Sequence, residues 1–378
     1  MDKTVKKTVM ILSAPIGSGH VRAALAMKEQ LLKKGNINVV MGNIFDLVPG
    51  FFSKNLLRTY FFLLNNIPSS YDFLYKWGDT SNSFALRALV NRIFSMKGSS
   101  FLEESKPDAV ITTHVTPAGI IALYKKQTGS QLPLFGIVTD YAMHKWWLYD
   151  EINGYIVFDK EMFHDYGKYL KEHQQVWDLG IPVHDDFTNG FSDKTMFREK
   201  LSLPPNALIG ILSGGGEGFL PMKQIIECWQ QANQEQKNIF FVAICGKNKV
   251  LYEELSKLKL PWLRVLGYIE NISEYMKASD FIISKAGGVT ITEAITLNLP
   301  VILYKPLPGQ EYVNTKYLLQ KGVAVKAENV QKLKEIIMQV FDDKIIFEKI
   351  KSAQKAIVKP DTAHNIVQKI CDFQGWKL

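Results

Sequence analysis

Short apolar runs rich in β-branched residues alternate with segments of helical pattern along the whole chain. A strand covered on both faces reads as a continuous apolar run, and joining two parallel strands takes a crossover of a dozen or more residues, usually a helix. The alternation therefore predicts the α/β class, with parallel sheets wrapped by crossover helices. In the first half the strand candidates are residues 8–13, 39–43, 108–113, 134–138 and 154–158. In the second half they are 208–213, 239–245, 263–266, 280–284 and 301–304, so each half reads as its own doubly wound unit.

The chain has 378 residues, more than one ordinary core holds and enough for two domains of about 100 to 200 residues each. Two domains imply a cleft. Turn chemistry gathers in Ile181-Pro182-Val183-His184-Asp185-Asp186 and Leu203-Pro204-Pro205-Asn206, which puts the boundary near residues 185–200. The expected division is 1–190 and 195–358, followed by a helical segment over 359–378.

Hydrophobic residues make up 47 % of the chain and charged residues 22 %, the balance of a soluble globular protein rather than of a disordered or integral membrane one. The apolar stretch Tyr60-Phe61-Phe62-Leu63-Leu64 stops at Asn65 and Asn66, and no apolar run in the chain approaches the roughly 20 residues that span a bilayer. The start, Met1-Asp2-Lys3-Thr4-Val5-Lys6-Lys7, leads straight into a strand candidate without a cleavable apolar region, which predicts a cytoplasmic protein. Cys228, Cys245 and Cys371 form no metal-ligand spacing and fit a reducing compartment. The net charge of +8 favours an anionic partner: nucleic acid, nucleotide phosphates or an acidic membrane surface.

Two glycine-rich turns stand between a strand and a helical segment in the second half. They are Leu212-Ser213-Gly214-Gly215-Gly216-Glu217-Gly218 and Ser284-Lys285-Ala286-Gly287-Gly288-Val289-Thr290. Such turns let backbone N–H groups approach phosphate oxygens, because glycine has no side chain in the way and tolerates positive φ. Close backbone packing accounts for one such turn; two in one domain point to a pyrophosphate. The helix after the second turn offers its positive end, with the Thr290 hydroxyl beside it. Glu293 follows on the same helix, where its carboxylate either accepts both hydroxyls of a ribose or complements the helix dipole. Gln310 and Glu311 follow the strand 301–304, placed either to hold sugar hydroxyls or to cap the next helix.

In the first half, Ala14-Pro15-Ile16-Gly17-Ser18-Gly19-His20 ends the first strand but lacks the third glycine of a dinucleotide fingerprint. His20 stands at the mouth of this loop, suited to take a proton from a hydroxyl near neutral pH, or else to cap the helix and hold the loop. Asp140 and His144, after the strand 134–138, form a second candidate group, with Asp140 as the base or as the residue that orients it. Residues 51–77 are rich in aromatics and leucine, with Lys54, Arg58 and Lys76 the only cations; the segment either lies in a bilayer interface or forms a buried helical hairpin.

The series Gly267-Tyr268-Ile269, Gly287-Gly288-Val289-Thr290-Ile291-Thr292-Glu293-Ala294 and Pro308-Gly309-Gln310-Glu311 resembles glycosyltransferase family 28. Within that family it is most similar to bacterial diacylglycerol glucosyltransferases and plant monogalactosyldiacylglycerol synthases. The resemblance takes in Gly17-Ser18-Gly19-His20 and the run from Thr139 through Asp140 and His144 to Trp147, and so nearly the whole chain. One departure is Lys285-Ala286-Gly287-Gly288 where many members have Lys-Pro-Gly-Gly, a change in loop stiffness.

The resemblance implies the B-type glycosyltransferase fold: two Rossmann-like domains facing a central cleft, with the last helix packing back on the first domain. It implies that the Ile269 backbone contacts uracil and that Ser213, Gly214, Gly215 and Gly216, with Gly287, Gly288, Val289 and Thr290, hold the diphosphate. Glu293 would hold the ribose, and Gln310 and Glu311 the transferred hexose. Gly17 and Gly19 join this donor set, and His20 is implied as a catalytic or acceptor-positioning residue. The chemistry implied is a single inverting displacement from a UDP-hexose to 1,2-diacylglycerol, possible more than once, at the inner face of an anionic membrane. No nucleic acid enters it. UDP would leave against helix ends rather than a metal, in line with a sequence that contains no Asp-x-Asp element, and no cofactor beyond the donor is expected. Transfer of N-acetylglucosamine to a polyprenyl-linked precursor, a UDP-sugar epimerase and a UDP-sugar sensor are the alternatives.

Overall fold

A computed structural model describes residues 6–14, 17–43, 98–188, 193–232 and 238–376. The aromatic segment 51–77 lies outside these, so its interfacial reading remains an expectation from sequence. The described residues fall into two compact units, one within Met1–His184, Pro308–Gln310 and Asp361–Leu378, the other within Asp185–Leu307 and Glu311–Pro360.

The first unit is built on a parallel sheet of β1 (Lys7–Ser13), β2 (Ile37–Asn43), β3 (Ala109–Thr112), β4 (Leu134–Ile137), β5 (Gly154–Ile156) and β6 (Gln175–Trp177). The order is β2-β1-β3-β4-β5-β6. The central strands are apolar on both faces because helices cover both: Val9, Ile11, Ala109, Ile111 and Phe135 are fully buried. The helix Ser18–Lys33 turns its Ala24, Met27 and Leu31 to this core. The helix Thr362–Phe373 adds Ile366, Val367 and Ile370 to the same cluster, and its Phe373 ring meets Phe135 and Trp177 edge to face.

The second unit repeats the plan with β7 (Leu208–Ser213), β8 (Ile239–Ile244), β9 (Leu263–Leu266), β10 (Phe281–Ser284), β11 (Val301–Tyr304) and β12 (Ala324–Ala327). The order is β12-β11-β10-β7-β8-β9, again all parallel. Two strands, β6 and β12, were not among the candidates read from sequence. Both are edge strands, where one side of the ladder is open and apolar continuity is not required.

An aspartate closes the N-terminal edge of both sheets in the same way. Asp108, just before β3, accepts from the Thr8 N–H of β1 at 2.8 Å and from Lys7 Nζ at 3.1 Å, and its own N–H donates to the Thr8 carbonyl. Asp280, just before β10, accepts from the Ile209 N–H of β7 at 2.7 Å and from Arg198 Nη2 at 2.7 Å, and returns its N–H to the Ile209 carbonyl. With those ends closed, the C-terminal edges carry the loops. Strand order reverses between β1 and β3 in one sheet and between β7 and β10 in the other, and open α/β sheets bind ligands outside the strand ends at such a switch point.

Candidate active site

In the second unit the two glycine turns leave β7 and β10, the strands that flank the switch point. The first is glycine by necessity. A Cβ on Gly214 would lie 2.4 Å from the Phe219 nitrogen, and one on Gly218, at φ +71°, would lie 2.2 Å from the Cys245 carbonyl oxygen. Close packing therefore explains those two residues. Gly215, at φ +73°, has open space except for Lys285 Cε at 3.8 Å, so the lysine stem lies over the turn. The strands are tied together where the turns begin: Ser284 Oγ donates to the Ser213 carbonyl at 2.9 Å.

The helix Gly288–Thr296 starts at Gly287, which has no side chain of its own to cap the first turn, and its positive end lies just after β10, where an anion is favoured. Gly288, Val289, Thr290 and Glu293 are all buried on it. Lys285, treated in the sequence only as a member of the turn, is ion-paired with Glu311. The other Glu311 oxygen accepts from the Leu307 N–H at 2.8 Å, so this carboxylate holds both the lysine and the loop after β11. Asn314, buried on the helix Gln310–Gln320, donates to the Ala286 carbonyl at 2.9 Å and pins the second turn from behind. Nothing in the local sequence marks Asn314, because its partner is 28 residues away.

Ile269 follows β9, the far edge strand. The candidate residues thus spread along one sheet edge in the order Glu311 after β11, Gly287 to Thr290 after β10, Ser213 to Gly216 after β7, and Ile269 after β9. Four strand spacings of about 4.8 Å separate the ends, roughly 19 Å. The hexose, diphosphate and base contacts implied by the family resemblance would fall in that order along the edge.

In the first unit Gly17 is the N-cap of the helix Ser18–Lys33 at φ 80° and ψ 161°, a conformation open essentially to glycine alone. Gly19 and His20 lie in the first turn, beside the switch point of this sheet. His20 Nδ1 is 2.8 Å from the Thr113 carbonyl, an acceptor only, so Nδ1 carries the proton; Thr139 Oγ1, also at 2.8 Å, is a second acceptor for it. Nε2 is left with its lone pair and has no hydrogen-bond partner among the described residues. Thr113 Oγ1 in turn donates to the His20 carbonyl at 2.9 Å. Burial pushes the His20 pKa down to about 4 against a smaller upward pull from the Thr113 carbonyl, so the ring is neutral near pH 7.

His144 has the opposite tautomer. Its ring accepts from the Trp146 N–H at 3.2 Å and caps the short turn Lys145–Trp147, so Nε2 of the neutral ring is a donor. Asp140 is buried and accepts from the side-chain amide of Gln310, which clusters with this unit. Among the three candidates for the base, His20 is the one whose hydrogen bonds leave an imidazole lone pair at the strand edge. Thr139, which opens the run that carries the resemblance, completes the group with Thr113 and His114, and those two were not singled out by local motif.

The doubly wound units and their loaded C-terminal edges define a B-type glycosyltransferase fold. The chain superposes on the crystal structure of Acinetobacter baumannii MurG with a TM-score of 0.63 at 18 % identity, covering 97 % of this chain and 99 % of that one. It superposes on S. aureus MnaA with UDP with a TM-score of 0.61 at 14 % identity, covering 98 % and 97 %. The chain belongs to glycosyltransferase family 28: residues 211–367 match the glycosyltransferase family 28 C-terminal domain and residues 20–183 the monogalactosyldiacylglycerol synthase family. A processive diacylglycerol β-glucosyltransferase of Bacillus cereus (strain AH187) is 30 % identical over 384 residues, 96 % of this chain and 92 % of the relative. The protein of that name from Bacillus subtilis (strain 168) is 29 % identical over 375 residues, 96 % and 94 %.

Proposed function

We propose that this protein transfers glucose from UDP-glucose to 1,2-diacylglycerol with inversion, and adds further glucose to the product. The observation that carries the substrates is the likeness over both units to relatives named processive diacylglycerol β-glucosyltransferases. Those names give no support to the polyprenyl acceptor, the epimerase or the sensor.

The residues divide the work. Lys285, the glycine turns and the N-terminus of the helix Gly288–Thr296 take the diphosphate, and Ile269 the base. Glu293 takes the ribose; Gln310 and Glu311 take the hexose. The acceptor hydroxyl gives its proton to His20 Nε2 as its oxygen bonds to the anomeric carbon. The bond from that carbon to the β-phosphate oxygen breaks, and UDP leaves with the electron pair. The Thr113 carbonyl holds Nδ1–H throughout and stabilises the imidazolium that forms. Charge on the leaving diphosphate is met by Lys285 and the helix end, without a metal. The acceptor is a lipid, which places the work at a membrane surface, reached peripherally from the cytoplasmic side; no helix among the described residues is long and apolar enough to cross a membrane.

The test is to incubate the purified protein with diacylglycerol vesicles and each UDP-sugar separately and to identify the lipid products. Mono- and diglucosyl lipid from UDP-glucose is expected. Product from another UDP-sugar only, or UDP-sugar isomers without glycolipid, would overturn the assignment.

A further inference from the structure

His114 occupies the first position after Thr113 and belongs to no motif read from the sequence. It is the N-cap of the helix Val115–Thr128, and its Nδ1 accepts from the Thr116 N–H at 3.1 Å. That contact puts the ring proton on Nε2. The ring also meets the His20 ring edge to face, with centroids 4.7 Å apart and planes at 86°. Two consecutive residues after β3 therefore make three contacts with His20: the Thr113 carbonyl on Nδ1, the Thr113 hydroxyl on the backbone carbonyl, and the His114 ring against the imidazole ring.

An imidazole held by one hydrogen bond can still swing about that bond. A second ring packed at right angles removes this freedom, in the way aromatic pairs favour edge-to-face geometry. The neutral His114 tautomer is fixed by a backbone N–H, so the wall it makes is not free to flip.

We propose that His114 is a positioning residue for the transfer, holding the His20 ring so that Nδ1–H stays on the Thr113 carbonyl and Nε2 is presented to the acceptor hydroxyl. This rests on the transferase reading above. Among the described residues, the groups that face His20 from neighbouring elements are the Thr113 carbonyl and His114 after β3 and the Thr139 hydroxyl after β4. Arg22 lies two residues along the helix that carries His20, and Asp140 is next to Thr139. Neither is among the causes of the His20 shift, which are burial and the Thr113 carbonyl. His114 itself is held well below the ordinary histidine range, first by burial and second by His20.

The variant His114→Asn separates the two roles of the residue, since asparagine is among the best N-cap residues and keeps the helix start while deleting the ring. Its melting temperature is expected to match that of wild type. kcat is expected to fall about tenfold with the KM for UDP-glucose unchanged, as for loss of an arrangement needed only in the chemical step. In His20→Ala the same change should cost nothing more, because residues acting through one group are not additive. With the wall removed, the ring of His20 becomes better hydrated, so its titration in ligand-free protein, followed by NMR on histidine-labelled samples, should move up from about 4 toward the ordinary 6.5. An unchanged kcat, an unmoved His20 titration, or an equal further loss in the His20→Ala background would overturn the proposal. If wild type makes no glycolipid, the transferase reading fails instead, and the NMR shift still reports whether His114 sets the His20 environment.

Discussion

Lys285 and Glu311 form an ion pair in which the two side chains are only 14 % and 12 % exposed, and the lysine stem lies over Gly215 of the other glycine turn. The pair thus fixes a cation where both turns converge. A charge-assisted hydrogen bond to a phosphate oxygen contributes about 1.5 to 3 kcal/mol, so Lys285→Met should raise the KM for UDP-glucose roughly 10- to 100-fold. Glu311→Gln keeps an acceptor for the Leu307 N–H and should weaken donor binding less. Donor titrations of initial rate and calorimetric titration with UDP measure both. Wild-type UDP affinity in Lys285→Met would remove the lysine from the diphosphate site.

Gly218→Ala places a methyl group 2.2 Å from the Cys245 carbonyl oxygen at a positive φ, and the contact is with backbone that cannot step aside. Gly17→Ala meets nothing within 4 Å and is strained only by its φ of +80°. Backbone strain of that kind costs on the order of 1 to 3 kcal/mol, so Gly17→Ala should lower the melting temperature by several degrees, and Gly218→Ala by more. Thermal unfolding of the two variants side by side checks the order, and the reverse order would show that the turn at Gly218 relaxes.

The central strands were legible because burial on both faces forces them to be continuously apolar, as in Val9 to Leu12 and Phe281 to Ile283. β6 and β12 were not. Gln175 begins an edge strand and is exposed, and Lys326 interrupts the other, so neither carries an apolar signal. At the site the glycine turns could be read, since a backbone conformation constrains the residue placed on it. The partners that aim the chemistry could not. Lys285 with Glu311, Asn314 with the Ala286 carbonyl, and His20 with Thr113 are joined across 26, 28 and 93 residues, and no local periodicity records such a meeting.

In the proposed transfer the charge on the leaving diphosphate is met by Lys285 and a helix N-terminus, both part of the chain. Treatment with a chelator followed by gel filtration should therefore leave kcat unchanged. A loss that added Mg²⁺ or Mn²⁺ restores would mean that the lysine and helix end are insufficient.

As the proposed base, His20 should set the pH dependence of the rate. Its replacement by glutamine should lower kcat by about 10²- to 10⁴-fold, the usual contribution of a positioned general base, with little change in the KM for UDP-glucose. Because burial holds the folded pKa near 4, the wild-type rate should not fall as pH drops through 6.5, and the acid limb should appear near pH 4. Stability follows a different window with a definite sign. Between the unfolded value of 6.5 and the folded value of about 4 the unfolded chain binds the extra proton. The contribution is therefore full above pH 6.5 and is lost as pH falls toward 4. His114, lowered in the same direction, adds to that loss. Melting temperatures of wild type and His20→Gln measured from pH 7.5 to 4 should converge as the pH falls, with wild type descending more steeply. Parallel curves would mean that His20 is already hydrated in the folded protein, and the acid limb of the rate would then lie near 6.5.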